Sequence, residues 1–330
     1  MIGEVEPASE LTPELRAFVE FVAKKGRELY RDLPWRRTYD PYAIWISEVM
    51  LQQTQVSRVD GRWQRWLECF PTVDALAAAA PSDVLEEWQG LGYNRRALSV
   101  HRAAQAISEA GGVFPQDPKE LVKLPGIGPA TAAGIRAFAF NLHGIYLETN
   151  VRTVFLHELY PQAEGVPDSE LVPLVELTCP ASVEDAADVA DADSTANDVD
   201  ADGAAGVDTA VDTAANANET ELTPRSWYYA LLDYGAYLKK TIPNPSRRSK
   251  SHVKQSRFEG SHRQKRAELL RVLLAHKDEG GAVFETLHQE LCQIEVNAGR
   301  ETLDEQVTLG LLEELAKEGF CQKNDEYWLP

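Results

Sequence analysis

Leu124-Pro-Gly-Ile-Gly-Pro-Ala-Thr-Ala132 is the stretch on which the fold turns. Pro125 stops a helix, because it has no N–H to donate and its ring clashes with the preceding turn. Gly126 and Gly128 permit a tight reversal and let the backbone approach closely whatever lies outside it. Pro129 suits the first turn of a new helix. The free N–H groups and positive dipole end of that helix, with Gly126, Gly128 and Thr131 around them, make a place for a phosphate. Such a contact positions a nucleic acid without reading its sequence. An ordinary helix–turn–helix corner is the competing reading. Leu124-Pro125 ahead of the glycines and the Ala-rich helix behind them favour phosphate.

Outward from this turn, residues from Pro13 to about Tyr160 follow a helical period. It is broken at Phe70-Pro71, Ala80-Pro81, Gly111-Gly112 and Phe114-Pro115. No alternating strand stands out, so the expectation is an all-α domain over residues 13–180 and 224–260. Residues 1–12 read as a flexible N-terminus. Residues 181–223, almost all Ala, Asp, Thr and Val, cannot bury enough surface to offset chain ordering and are expected to be a disordered acidic insertion. Helix returns at Pro224–Lys240. Residues 261–330 predict helices over 263–277, 283–296 and 300–318, then two short strands around Asn324-Asp325. That is a small winged-helix-like α+β domain.

A formal charge of −19 argues against nucleic acid until its distribution is considered. Residues 181–223 hold twelve Asp or Glu and no Lys or Arg, so the rest of the chain carries only −7. From Lys239 to Arg271 there are eleven Lys or Arg against two Glu. Local field decides whether phosphates are attracted. The third C-terminal helix, by contrast, carries Glu301, Asp304, Glu305, Glu313, Glu314 and Glu318. It would repel phosphates, so packing or a protein partner is expected of the C-terminal domain. No run of 18 apolar residues exists, so no membrane span is expected. The acidic start MIGEVEPASE has no charged-then-apolar signal, and a cytoplasmic, nucleoid-associated location is expected. Cys69, Cys179, Cys292 and Cys321 lack metal-ligand or redox spacing and read as free thiols.

Two carboxylates stand out. Asp40-Pro41 is an N-cap and first-turn pair for a largely apolar helix over Tyr42–Val56, YAIWISEVMLQQTQV. On it Glu48, Gln52 and Gln55 share a face, and a polar stripe on a core helix needs a partner or a pocket. A buried, hydrogen-bonded Glu48 is the alternative. Glu148 lies between an apolar run and a new helix that Thr149 or Asn150 could cap; Glu148 as a mere cap is equally open. Trp45, Trp63, Trp66 and Trp88 are expected in the core.

These motifs resemble a known family. Pro34-Trp35-Arg36, Trp45–Val56 with its SEVMLQQTQV, Phe70-Pro-Thr72, Trp88-Gln-Gly-Leu-Gly-Tyr93, the Leu124–Thr131 hairpin and Leu147–Val151 are similar to the endonuclease III superfamily of helix-hairpin-helix glycosylases. Within it they most resemble the A/G-specific adenine glycosylases. The resemblance implies a two-lobed fold that clamps duplex DNA and flips the target nucleotide into a pocket. Glu48 matches the general acid that protonates the departing adenine, a task that requires burial to raise its pKa. Gln52 and Gln53 match the residues that wedge into the base stack. Glu148 matches the catalytic Asp that stabilises the sugar cation or attacks it transiently. Tyr93, Asn94 and Arg95 fall at the lesion-facing loop.

The chain departs from the family's pattern in ways with physical consequences. Glu148 is one methylene longer than Asp, and Thr149 follows it. A shift of about an ångström costs on the order of a hundredfold in rate unless the pocket adjusts. Ala130 stands where lyase members carry a nucleophilic Lys, so a monofunctional glycosylase without strand cleavage is expected. The four clustered Cys of the family's 4Fe–4S cluster are missing after Asp233-Tyr-Gly235, so no cofactor is expected. Lys239, Lys240, Arg247, Arg248, Lys250 and Lys254 are inferred to take over its phosphate contacts. Asn94 stands in place of a second Tyr, and no oxidised-guanine-reading domain of the nucleotide-hydrolase type is visible. Excision of another lesion, or a non-catalytic DNA-binding damage sensor or regulator, are the alternatives.

Overall fold

The structure is a computed structural model that describes residues 11–181, 222–251 and 257–330. Lys254, residues 1–10 and most of the acidic insertion lie outside the described residues. In chain order the helices are α1 (Pro13–Glu28), α2 (Pro41–Leu51), α3 (Val56–Val59), α4 (Arg62–Cys69), α5 (Val73–Ala78), α6 (Pro81–Glu87), α7 (Arg95–Glu109) and α8 (Pro118–Leu121). Then come α9 (Pro129–Phe140), α10 (Thr149–Glu158), α11 (Asp168–Thr178) and α12 (Pro224–Thr241). The C-terminal part adds α13 (His262–Ala275), β1 (Ala282–Val283), α14 (Phe284–Asn297), α15 (Glu305–Glu318), β2 (Gln322–Asn324) and β3 (Tyr327–Leu329). Several helices start alike. Thr12-Pro13, Asp40-Pro41, Asp117-Pro118 and Thr223-Pro224 each place a capping oxygen before a Pro that has no N–H to satisfy.

The chain divides into two compact units, Met1–Arg31 with Arg136–Ser251 and Asp32–Ile135 with His252–Pro330. In the first, Phe18 of α1 meets Phe155 of α10 and Trp227 of α12 edge-on, at 5.1 and 6.1 Å between ring centres. Glycine sets how closely these helices pack. A Cβ on Gly26 would sit 2.2 Å from that of Ala230, and one on Gly235 would sit 2.3 Å from the Asn150 carbonyl oxygen. Asp233 is buried and accepts from the Arg31 amide at 3.1 Å and its Nε at 2.5 Å. A charge-assisted pair of this kind makes burial of the carboxylate tolerable.

In the second unit α2 is the core helix. Trp45, Trp63, Trp66 and Trp88 are all buried, as expected from their type. Trp63 Nε1 donates to the Ala43 carbonyl at 2.8 Å, and the Tyr42 hydroxyl to that of Phe70 at 2.7 Å. The helix is shorter than its sequence pattern suggests. It stops at Leu51, and residues 52–55 form a turn before α3. Gln55 therefore leaves the face it would share with Glu48 on a continuous helix.

The C-terminal part has the order α13-β1-α14-α15-β2-β3 with an antiparallel sheet β1-β3-β2, a winged-helix-like arrangement. Two of its details differ from the sequence reading. β1 spans two residues, too few to show alternation. The third helix begins at Glu305 rather than near 300, because Asp304 caps it at Gln306 N (2.7 Å) while Arg300 turns back onto Glu295 at 2.7 and 2.9 Å. Ion pairs tie this part to the rest of its unit: Lys277 to Asp83 (2.9 Å) and Glu86, and Glu318 to Arg95 (2.6 Å); Glu318 also pairs within the part with Arg266 (2.8 Å).

Candidate functional site

From Tyr42 to Met50, Glu48 is the one residue that is not fully buried. The helix thus presents a single carboxyl from an otherwise closed surface. Beyond Leu51 the chain is shaped by a residue that sequence reading passed over. Arg96 of α7 sends Nη1 to the carbonyls of Val49 (2.6 Å) and Gln52 (2.8 Å), and Nη2 to those of Leu91 (3.2 Å) and Gly92 (2.9 Å). A cation at the C-terminal end of α2 satisfies carbonyls that have no helical partner and complements the dipole. Its side chain also lies over Trp88 and Tyr93, at 5.3 and 5.5 Å. Burial without a carboxylate lowers its pKa to about 10. Nothing in the spacing of Arg95-Arg96 tells which of the two turns inward.

Arg96 thereby fixes two segments of unusual backbone. Gln53 and Tyr93 both adopt positive φ, 54° and 51°, next to Gly92 at 74°. Non-glycine residues in this region are held there by their surroundings. Gln53 and Tyr93 are exposed, whereas Gln52 donates through Nε2 to Thr131 Oγ1 at 3.1 Å. That bond ties the end of α2 to the start of α9, and Thr131 is itself buried. Asn94 precedes α7 without a side-chain cap. Arg95, expected at DNA, has its guanidinium on Glu318 at 2.6 and 2.7 Å.

The hairpin 124–129 separates two uses of glycine. Gly126 has φ 77°, and a Cβ there would lie 2.6 Å from that of Ser99 on α7, so packing and conformation both require glycine. Gly128 meets nothing within 4 Å of its missing Cβ, and it and Pro129 are exposed. Ile127 between them is buried and anchors the turn. The first amides of α9 therefore emerge from an exposed, anchored turn.

In the first unit Glu148, not Thr149 or Asn150, caps α10. Its Oε1 accepts from Asn150 N at 2.6 Å and Val151 N at 3.2 Å. The residue is half-buried. Burial pushes its carboxyl above the usual range, opposed by the Lys239 charge and the α10 amides. Lys239 is pulled below the usual lysine range by burial, opposed by Glu148. Its Nζ donates to Asn150 Oδ1 at 2.7 Å.

The basic loop is divided in the same way. Lys240, Arg247 and Lys250 are exposed. Arg248 turns inward and donates to the carbonyls of Leu156 (2.8 Å), Tyr160 (2.6 Å) and Pro161 (2.6 Å), closing the C-terminal end of α10. The residues present do not fit an iron–sulfur cluster. Cys69, Cys179, Cys292 and Cys321 are free thiols, and among the described residues no group of three or more His, Cys, Asp or Glu is placed to hold a metal. Burial raises the Cys69, Cys179 and Cys321 thiols, the last to about 12, against the thiolate that a metal requires.

Residues 46–217 match the family described as HhH-GPD superfamily base excision DNA repair protein. The chain is 42% identical over 152 residues to an adenine DNA glycosylase of Mycolicibacterium smegmatis, covering 46% of this chain and 52% of that protein. It is 41% identical over 141 residues to the adenine DNA glycosylase of Mycobacterium tuberculosis H37Rv, covering 42% and 46%. To that of Homo sapiens it is 39% identical over 134 residues, covering 38% and 24%. The chain thus spans about half the length, or less, of these relatives. Among solved structures it is similar in fold to a thermostable thymine-DNA glycosylase, with a TM-score of 0.52 and 19% identity over 70% of this chain and 90% of that one.

Proposed function

Since the chain belongs to the HhH-GPD superfamily of base excision DNA repair proteins, we propose that it hydrolyses the bond between adenine and deoxyribose in duplex DNA. The observation that carries this reading is Glu48, the half-open carboxyl on the buried helix α2, within the residues matched to the family. Glu48 in its acid form donates a proton to a ring nitrogen of the flipped base. The glycosidic bond then breaks with its electron pair leaving on the base. Positive charge develops at the sugar C1′, and the Glu148 carboxylate stabilises it. Water adds at C1′, loses a proton, and leaves an abasic site.

Other residues bind and orient. The exposed amides around Gly128 hold a phosphate at the start of α9. Gln53 and Tyr93 face the opened duplex on the loops that Arg96 holds. Lys240, Arg247 and Lys250 supply backbone charge. Ala130 offers no amine, so the reaction ends at the abasic site. No step passes through an iron–sulfur cluster, whose ligands the chain does not supply.

A non-catalytic DNA-binding role is the second reading, favoured by the use of Glu148 Oε1 as a helix cap. One assay separates the two. Duplexes carrying adenine opposite guanine, oxidised guanine or cytosine, and other lesions, are incubated with the protein and treated with alkali. The expected result is strand breaks at adenine, absent without alkali and absent for Glu48→Gln. Binding without any break from any duplex would support the sensor.

A further inference from the structure

We propose that Lys239 is a positioning residue for Glu148: held on the first turn of α10 by Asn150, its ammonium keeps the Glu148 carboxylate charged while the sugar reacts. The inference rests on the role given to Glu148 above and changes the role of Lys239 from phosphate contact to internal counter-ion.

The geometry is a short chain of bonds within one unit. Asn150 donates its amide to Glu148 Oε1 at 2.6 Å and accepts from Lys239 Nζ on its side-chain oxygen at 2.7 Å. One residue therefore joins the anion and the cation. Gly235 makes this approach feasible. It lies against the Asn150 carbonyl, where a Cβ would be 2.3 Å from the oxygen, so any side chain would hold α12 away from α10. Lys239 follows four residues later and thus projects from the same face of α12.

The other charges of this unit around α10 have partners of their own. Arg152, one turn along α10, is bidentate to Asp168 at 2.8 Å through both nitrogens and acts on Lys239 by repulsion. Arg248, from the turn packed against α10, sits on carbonyls at the far end, and Glu158 there accepts from the Tyr234 hydroxyl. Among the described residues, Lys239 is a cation whose field acts on Glu148. Burial favours the neutral form of a carboxyl placed here, and a neutral acid cannot stabilise a sugar cation. The ammonium, held on Asn150, opposes that effect and favours the ionised form.

The test reads the carboxyl itself. In the full chain labelled at the glutamate side-chain carboxyls, the Glu148 resonance is identified by its loss in Glu148→Gln and titrated by NMR in wild type, Lys239→Met and Lys239→Arg. Lys239→Gln serves as a second neutral variant should the first not fold. The midpoint is expected to rise by about one pH unit or more in the neutral variants and to stay near wild type in Lys239→Arg. An unmoved midpoint in the neutral variants overturns the proposal. Single-turnover base release is followed over the same pH range, and its acidic limb is expected to move by the same amount. Release by wild type with neither limb nor midpoint displaced removes the pairing and keeps the function. A displaced midpoint without release from any duplex removes the function and keeps the pairing.

Discussion

Glu148 is pulled in two directions, by burial toward its neutral form and by three amides and an ammonium toward its charged one. Both of its sequence readings, as a helix cap and as a functional carboxyl, describe the same side chain: a cap oriented by backbone amides is a carboxylate held rigidly in place. This orientation allows a clean substitution. Glu148→Gln keeps an oxygen for Asn150 and Val151 and removes the charge. We expect base release to fall by about a hundredfold or more with DNA affinity and melting temperature close to wild type. A variant that excises at wild-type rate would assign Glu148 to capping alone. The position of Glu148 at a helix start was legible in the sequence because an apolar run ends there. Its cation was not, because Lys239 lies some ninety residues away and reaches α10 only through the close packing at Gly235.

At the scale of elements, the helix starts were legible and the ends were not. Asp40-Pro41 and Pro129 announce α2 and α9 in local chemistry. The end of α2 at Leu51 is set by Arg96, which sits on another helix and donates to five carbonyls from two segments. For the same reason the continuous face of Glu48, Gln52 and Gln55 does not form. Arg96→Met would leave these carbonyls without a donor in a half-buried place. We expect a loss of about 2–4 kcal/mol in urea unfolding, with weaker DNA binding as Gln53 and Tyr93 lose their fixed backbone. A stability within about 0.5 kcal/mol of wild type would show that the Arg96 bonds are replaceable by water.

At the scale of the molecule, the C-terminal helices and the hairpin β2-β3 were legible in order, while β1 and the grouping with residues 32–135 were not. That grouping rests on ion pairs between segments far apart in sequence. Glu318, between Arg95 and Arg266, has its pKa lowered to about 2 from an unperturbed 4.5. A depressed carboxylate stabilises the fold above its unfolded value and ceases to do so as pH falls through its folded value. Glu318→Gln is therefore expected to be less stable than wild type by about 1–2 kcal/mol at pH 7, after allowance for solvent screening of Arg95. The difference should shrink between pH 4.5 and 2, as followed by thermal unfolding across that range. A difference that does not vary with pH would place the effect in packing and not in charge.

On the proposed function, this chain detaches adenine from DNA through Glu48. The most direct measurement is mass-spectrometric detection of free base under single-turnover conditions, with duplexes carrying adenine opposite guanine or oxidised guanine. Wild type is expected to release adenine in equal amount with abasic sites, and Glu48→Gln to lower release at least about a hundredfold. Bound duplex with no free base, or release that Glu48→Gln leaves intact, would contradict it.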